Sequence, residues 1–166
     1  TSEPEVRAIS LFISQHNNIC IVTDFHTMSG VLLRPFSNKP DTEMIGEDLW
    51  VYQKQGEKGK DIIGYPDMSI FHGFKYHPNQ IISGGCDWTY EHLGMWYWAV
   101  EIWNPRQHAG IEVEKFIDWW REHPIEDDLK LLKWNDETRE GKGYINWYPY
   151  EHPQLGQVEL GGWHHI

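Results

Sequence analysis

The stretch SGGCDWTYEHLGMWYWAVEI, residues Ser83 to Ile102, decides the predicted fold. Its second half is apolar without interruption from Met95 to Val100, which is typical of a strand covered on both faces of a sheet. The run ends at Glu101, a carboxylate that is costly to bury without a partner. Burial raises the pKa of a carboxyl group, and a raised pKa suits a general base near neutral pH. Glu101 is therefore a candidate catalytic residue, with an ordinary strand-end carboxylate as the alternative.

A second apolar run follows Asn18 and ends in Asp24-Phe25-His26-Thr27. It predicts a buried strand over residues 19–25, with His26 directly after it. In open α/β sheets, ligands bind at the edge where strands end, so we expect His26 and Glu101 to converge on one cavity. A hydrogen-bonded core histidine is the alternative interpretation of His26.

Four separated motifs make a more specific pattern than either run alone. They are Ser2-Glu3-Pro4-Glu5-Val6-Arg7-Ala8-Ile9, Asp24-Phe25-His26-Thr27-Met28-Ser29-Gly30 followed by Leu32-Leu33-Arg34-Pro35, Ser83-Gly84-Gly85-Cys86-Asp87-Trp88-Thr89-Tyr90, and Gly94 followed by Glu101-Ile102. Their order, spacing and residue types resemble the C-terminal half of the catalytic domain in the carboxypeptidase A-like zinc metallocarboxypeptidases. The resemblance covers roughly Ser2 to Pro105.

The resemblance implies a zinc-dependent hydrolase that removes C-terminal residues from peptides with a zinc-activated water. It implies that His26 is the third zinc ligand and that Glu101 is the catalytic glutamate. The residues that it assigns to substrate binding are Ser83, Gly84, Cys86 and Asp87, with Tyr76 as the nearest candidate for the family's mobile tyrosine.

The base of the substrate pocket has two interpretations, because this chain is one residue shorter than the family between the double glycine and Asp87. If the gap falls before Cys86, the pocket floor is neutral and favours apolar C-terminal residues. If it falls after Cys86, Asp87 takes the floor and favours Lys or Arg through a charge-assisted hydrogen bond. Trp88 is a good anchor for Asp87, so we expect the neutral floor.

The other two zinc ligands of the family come from a His-x-x-Glu motif upstream of the third, and nothing before His26 supplies it. The match at His123-Pro124-Ile125-Glu126 falls after Glu101, in the wrong order, and indicates a helix start. Catalytic zinc needs three protein ligands. We therefore expect the chain to be part of a larger enzyme, inactive alone. Its expected partners are the missing N-terminal half of the catalytic domain and the C-terminus of a peptide.

The predicted fold class is α/β: a partial mixed β-sheet flanked by helices, followed by a short helical and β C-terminal segment. We expect residues 1–108 to form half of a zinc carboxypeptidase-like domain, residues 109–138 to supply its closing helices, and residues 139–166 to begin a β-rich segment. A net charge of −11 argues against nucleic acid as a partner. No apolar run approaches the length of a membrane span. Two cysteines without a disulfide pattern favour a reducing, cytoplasmic compartment.

Ten tryptophans allow a non-catalytic alternative, an aromatic-rich carbohydrate-binding module. A metal-free pseudoenzyme with an interaction role is the other alternative. Trp96 and Trp98 share one strand face, however, and such residues supply large buried area in a core. A sugar-binding platform would need two or three coplanar exposed rings.

Overall fold

The structure, a computed structural model, describes residues 3–75 and 84–163. The chain divides into two compact units, Thr1–Trp103 with Lys115–Ile117, and Asn104–Glu114 with Asp118–Ile166. The strands are β1 (Ile21–Thr27), β2 (Val31–Arg34), β3 (Asp67–Ser69), β4 (Trp96–Ile102), β5 (Tyr144–His152) and β6 (Gly156–Trp163). The helices are α1 (Pro4–Gln15), α2 (Gly46–Ile63), α3 (Ile70–Gly73), α4 (Gly85–Asp87), α5 (Pro105–His108), α6 (Phe116–Arg121) and α7 (Ile125–Arg139), with a 3₁₀ turn at Asp41–Glu43 and a π-helical turn at Trp88–His92.

The first unit contains a four-stranded mixed sheet in the order β1-β4-β2-β3. Strand β4 runs parallel to β1 and antiparallel to β2, while β2 and β3 are parallel. Together with the flanking helices and the C-terminal hairpin of β5 and β6, this sheet confirms the predicted fold class.

Strand β4 is the centre of the sheet, and its side chains alternate between two cores. Tyr97 and Ala99 pack with β2 residues and with Phe74 on one face. Trp98 and Val100 pack on the other face, where Trp96 joins them. The prediction of a buried strand is therefore confirmed for β4, because strands on both sides and packed residues on both faces cover it.

Strand β1 lies at the edge of the sheet, and the prediction that it is buried is wrong. Its Ile21 and Phe25 side chains are 45% and 67% exposed. Helix α1, which precedes it, has no buried residue either. An apolar run indicates a strand, but whether that strand becomes central or peripheral depends on the pairing order of the whole sheet.

Helix α2 covers the β4 face that carries the tryptophans. The Tyr52 hydroxyl accepts a hydrogen bond from the backbone N–H of Tyr97 at 3.1 Å, and the Trp98 indole donates to Gln55 at 2.8 Å. Gly59 allows close approach to β2, since a Cβ there would lie 2.5 Å from Cδ1 of Leu32. This packing holds β4 in a fixed register beneath the helix.

The second unit has its own small core, formed by Ile111, Trp119 and Leu131. The Trp119 indole donates a hydrogen bond of 2.9 Å to Asp127 on α7. After α7, strands β5 and β6 form an antiparallel hairpin whose side chains are mostly exposed. No helix in the described ranges 3–75 and 84–163 is long and apolar enough to cross a membrane.

Candidate active site

A cavity of about 540 Å³ lies on the Tyr97 face of the first unit's sheet. Asp24, His26 and Glu101 bring polar groups to it, and Lys75 adds a cation. The apolar part of its wall consists of Leu33, Ile70, Phe74, Cys86 and Ala99. The cavity thus combines a strongly polar group of side chains with a predominantly apolar wall, as small-molecule sites usually do.

His26 and Glu101 are brought together by the pairing of β1 with β4. They are register partners in the parallel ladder, so their side chains project from the same face. Both line the cavity. The predicted convergence of these two side chains on one cavity is therefore observed, although the residues come from strands far apart in the chain.

Glu101 lies in surroundings that favour a proton-accepting role. Burial raises the pKa of its carboxyl group, and the nearby Asp24 charge raises that pKa further, whereas His26 acts in the opposite direction. A carboxylate whose pKa is raised binds a proton more readily, which is what a general base near neutral pH requires.

The His26 ring contacts a second carboxylate on its own strand. Nε2 of His26 lies 2.9 Å from Oδ2 of Asp24, which is two residues earlier and therefore on the same face. The Tyr97 hydroxyl donates to the same oxygen at 3.0 Å. Sequence reasoning missed both contacts. Strand alternation could have indicated Asp24, whereas Tyr97 required the register of β1 against β4.

Cys86 and Asp87 occupy different places relative to the cavity. Cys86 lines it together with Gly84, and burial raises the pKa of the Cys86 thiol to about 11, so this wall is uncharged at neutral pH. Asp87 is fully buried and accepts hydrogen bonds from the Ser37 backbone at 2.9 Å, from the Ser37 hydroxyl and from the Gly84 backbone at 3.3 Å. This arrangement puts Asp87 behind the wall. The remaining predicted substrate residues, Ser83 and Tyr76, lie outside the described residues.

The His-x-x-Glu match in the second unit, His123 to Glu126, forms the start of helix α7. Both His123 ring nitrogens have partners, the Trp119 carbonyl at 2.9 Å and the Asp128 carboxylate at 3.1 Å. Glu126 belongs to the first turn of α7, which begins directly after Pro124. The expected helix start is confirmed.

Comparison with known protein families matches residues 1–122 to the zinc carboxypeptidase family. The chain belongs to that family. The matched span contains His26 and Glu101 and ends before His123. A search of curated proteins finds no match.

A zinc carboxypeptidase implies zinc in its complete catalytic domain, and the present residues fit one part of such a site. His26 provides an imidazole, a common zinc ligand, and its Nε2 lies 2.9 Å from the Asp24 carboxylate. Within residues 3–75 and 84–163, no group of three or more His, Cys, Asp or Glu side chains could hold a metal ion. A catalytic zinc needs three protein ligands, so the described residues do not form such a site by themselves.

The tryptophans divide between core and surface. Trp98 and Trp119 are buried, and Trp96 packs against the same core as Trp98, as the strand pattern predicted. Trp119 and Trp120 are in contact but meet edge to face, with 81° between their planes. This geometry differs from the coplanar rings of a sugar-binding platform.

Proposed function

We propose that this chain supplies one zinc ligand, the general base and part of the substrate pocket to a zinc carboxypeptidase that removes C-terminal residues from peptides. The observation that carries the proposal is the pairing of His26 with Glu101 across β1 and β4, at one cavity with an apolar wall. The family match over residues 1–122 supports the same reaction class.

Each polar residue has a separate task in the proposed reaction. His26 would hold zinc, which would polarise the scissile carbonyl and a water molecule. Glu101 accepts a proton from that water at its carboxylate as the new C–O bond forms. Glu101 then passes the proton to the amide nitrogen as the C–N bond breaks, so the leaving residue departs as a neutral amine.

The apolar wall supports a preference for apolar C-terminal residues. Phe74, Ile70 and Leu33 offer no charge to a basic substrate side chain, and the high pKa of Cys86 keeps its thiol neutral. The Asp87 carboxylate, which could have bound Lys or Arg, uses both oxygens on Ser37 and Gly84. We therefore infer faster cleavage of C-terminal Phe or Leu than of C-terminal Arg.

The open edge of the sheet supports completion of the site by another segment. Strand β1 ends the strand order, so one row of its backbone groups faces away from β4. Apolar side chains are exposed on β1 itself, at Phe25, and on the preceding helix α1, at Ile9 and Phe12. A segment that packs here could bring the remaining zinc ligands close to His26.

The test is hydrolysis of peptides by a complete zinc carboxypeptidase domain that includes these residues. Glu101→Gln should lower kcat by about 10²–10⁴-fold, because the amide cannot accept the proton, and should leave zinc stoichiometry unchanged. His26→Ala should lower zinc content as well as activity. Asp61→Asn, a change at an exposed position on α2, serves as the matched control and should alter neither.

Two results would contradict the proposal. One is full zinc content and full hydrolysis in the His26→Ala protein. The other is a kcat for Glu101→Gln within a few-fold of the parent value. Hydrolysis of C-terminal Arg peptides faster than C-terminal Phe peptides would overturn the inferred preference and leave the assigned roles of His26 and Glu101 intact.

A further inference from the structure

A second cavity, of about 440 Å³, lies in the first unit at the start of strand β4. It shares no lining residue with the cavity that contains His26 and Glu101. Its volume is within the range of sites that hold small organic molecules. Three aromatic and three acidic residues line it, and this combination indicates the chemistry of a ligand.

The aromatic part of the wall consists of Phe36, Tyr90 and Trp96. Fully buried Tyr52 meets Tyr90 and Trp96 edge to face, with ring centroids 5.8 and 4.9 Å away. Phe36 and Tyr90 also meet edge to face, at 5.5 Å. These contacts fix the rings in place before a ligand binds. The face of an aromatic ring is electrostatically negative and attracts cations.

The charged part of the wall is predominantly acidic. Glu43, Asp48 and Glu91 bring three carboxylates and Lys39 brings one ammonium group, a formal excess of two negative charges. The Tyr90 hydroxyl donates to Oδ2 of Asp48 at 2.6 Å. In the part of the chain that the structure describes, no donor reaches Oδ1 of Asp48 or the Glu43 carboxylate. The cavity therefore attracts positive charge and has unused acceptors for it.

Lys39 shows how an ammonium group is held at this cavity. Its Nζ lies 4.2 Å from the centroid of the Phe36 ring and pairs with the Glu91 carboxylate. A ring face together with a carboxylate is a combination that binds organic cations. Lys39 uses one ring and one carboxylate, so two carboxylates and the half-buried Trp96 ring remain for a ligand.

We propose that this cavity binds an organic cation, a guanidinium or ammonium group on a short apolar stem, against Asp48, Glu43 and Trp96. An inorganic cation fits less well, because the described residues contain no group of three or more His, Cys, Asp or Glu side chains that could hold a metal ion. A guanidinium is planar, stacks on aromatic rings and pairs with carboxylates. The inference is independent of the proposed peptidase reaction, because the two cavities have no residue in common.

The test is a titration of the ¹⁵N-labelled 166-residue chain with N-acetylarginine methylamide, followed by the indole ¹H–¹⁵N signal of Trp96. That signal is assigned by its loss in a Trp96→Phe protein. A salt concentration of about 0.1 M screens charges more than about 10 Å away. We expect a saturable shift of the Trp96 signal. N-acetylcitrulline methylamide has nearly the same shape and no charge, so it should bind at least about 10-fold more weakly.

A cationic group of this kind can come from a free small molecule or from a basic side chain of a polypeptide. The end-blocked peptide Gly-Gly-Arg-Gly-Gly distinguishes these two sources. Tighter binding of the peptide than of N-acetylarginine methylamide would indicate a polypeptide, because the neighbouring peptide units then contribute. Weaker binding of the peptide would indicate a small molecule. Both results support a cation site.

Removing a carboxylate from the cavity should weaken binding. Asp48→Asn keeps the shape of the side chain and an oxygen that can accept from Tyr90. It should weaken binding of N-acetylarginine methylamide by about 10-fold and leave binding of the citrulline compound unchanged. Asp61→Asn, at an exposed position about 20 Å further along α2, is the matched control and should not alter the affinity.

Removing the ammonium group of Lys39 should have the opposite effect. Lys39→Met keeps an unbranched side chain and releases Glu91 and the Phe36 ring. Binding of N-acetylarginine methylamide should become tighter by about 3–10-fold, because a further carboxylate and ring face are available to the ligand. Lys58→Met, at an exposed position on α2, removes the same charge outside the cavity and should leave the affinity unchanged.

The inference is overturned if the Trp96 signal does not saturate, or if the arginine and citrulline compounds bind equally well. It is also overturned if Asp48→Asn and Lys39→Met proteins with unaltered folded spectra bind as the parent chain does. If Asp48→Asn disturbs the fold, Glu43→Gln at an exposed position replaces it, and unchanged affinity there has the same meaning. Displacement of the arginine compound by Ca²⁺ at constant ionic strength would assign the cavity to inorganic cations and contradict the proposal.

Discussion

Replacing Asp87 by Asn keeps the shape of a fully buried side chain and changes only its charge and hydrogen-bonding pattern. The Asp87 carboxylate accepts from the Ser37 backbone at 2.9 Å, from the Ser37 hydroxyl and from the Gly84 backbone at 3.3 Å. These bonds connect the loop after β2 to the glycine turn that lines the cavity. The change therefore tests whether this buried acceptor holds the cavity wall together.

The expected magnitude follows from the donors left without an acceptor. One oxygen of Asp87 becomes an NH₂ group, so whichever way the amide is turned, an N–H points at another N–H. Ser37 is buried, and an unsatisfied buried donor costs about 1–3 kcal/mol, whereas the Gly84 N–H lies at the surface and can bind water. We expect Asp87→Asn to lower the free energy of unfolding by about 1–3 kcal/mol, and Asp87→Ala by about 2–5 kcal/mol because a void is added.

Urea denaturation followed by tryptophan fluorescence measures this loss. Asp61→Asn is the control, since it removes the same charge from an exposed position on α2 and should change stability by less than about 0.5 kcal/mol. A double-mutant cycle of Ser37→Ala with Asp87→Asn should give a coupling energy of about 0.5–3 kcal/mol.

The reasoning fails if Asp87→Asn unfolds at the same urea concentration and with the same slope as the parent chain. It also fails if the loss is real but the cycle with Ser37→Ala gives no coupling. In that case, the cost would come from contacts other than the hydrogen bonds between these two residues.

Three further predictions concern Glu101, the two cysteines and zinc binding by the chain. Because burial raises the pKa of Glu101 in the folded chain, ionisation of Glu101 destabilises the fold at pH 7, and Glu101→Gln should raise the urea midpoint there. That gain should vanish below about pH 4, where Glu101 of the parent chain is protonated in both the folded and the unfolded state. An alkylating reagent at about pH 8 should modify exposed Cys20 and spare Cys86, whose pKa is about 11, and both should react in urea; equal rates in the folded chain would refute this. Calorimetric titration of the chain alone should show no stoichiometric submicromolar zinc binding, because His26 is one ligand where three are needed; tight binding would mean that further ligands exist within the chain.

The sequence predicts strand existence well in this chain and strand environment less well. Both long apolar runs are strands, yet β4 is central and β1 is an exposed edge. An apolar run reports that a strand forms, whereas its neighbours are set by pairing across more than seventy positions of the chain. Strand β3 was not predicted, since Asp67–Ser69 is too short for any periodicity and exists because β2 offers it a partner.

Some residues of the candidate site could be predicted from the sequence, whereas the contacts between them could not. His26 and Glu101 could be singled out because each lies at the end of an apolar run, and ligands bind where the strands of open sheets end. Their expected roles came from the resemblance of the four motifs to the zinc carboxypeptidases. The buried bonds of Asp87 to Ser37 could not be found, because the two residues meet only when the loop after β2 folds against the glycine turn. The link from Tyr97 to Asp24 likewise depends on a register that a single sequence does not reveal.

The alternation along β4 also limits which changes in length the chain can accept. Inserting or deleting one residue inside Trp96–Ile102 would exchange the two faces, sending Glu101 towards the tryptophan core and an apolar side chain towards His26. The register of β4 therefore determines both the packing of the core and the position of Glu101 beside His26. A change in the number of residues in the glycine turn before Asp87 would instead reshape that part of the cavity wall and leave the register of His26 with Glu101 unchanged.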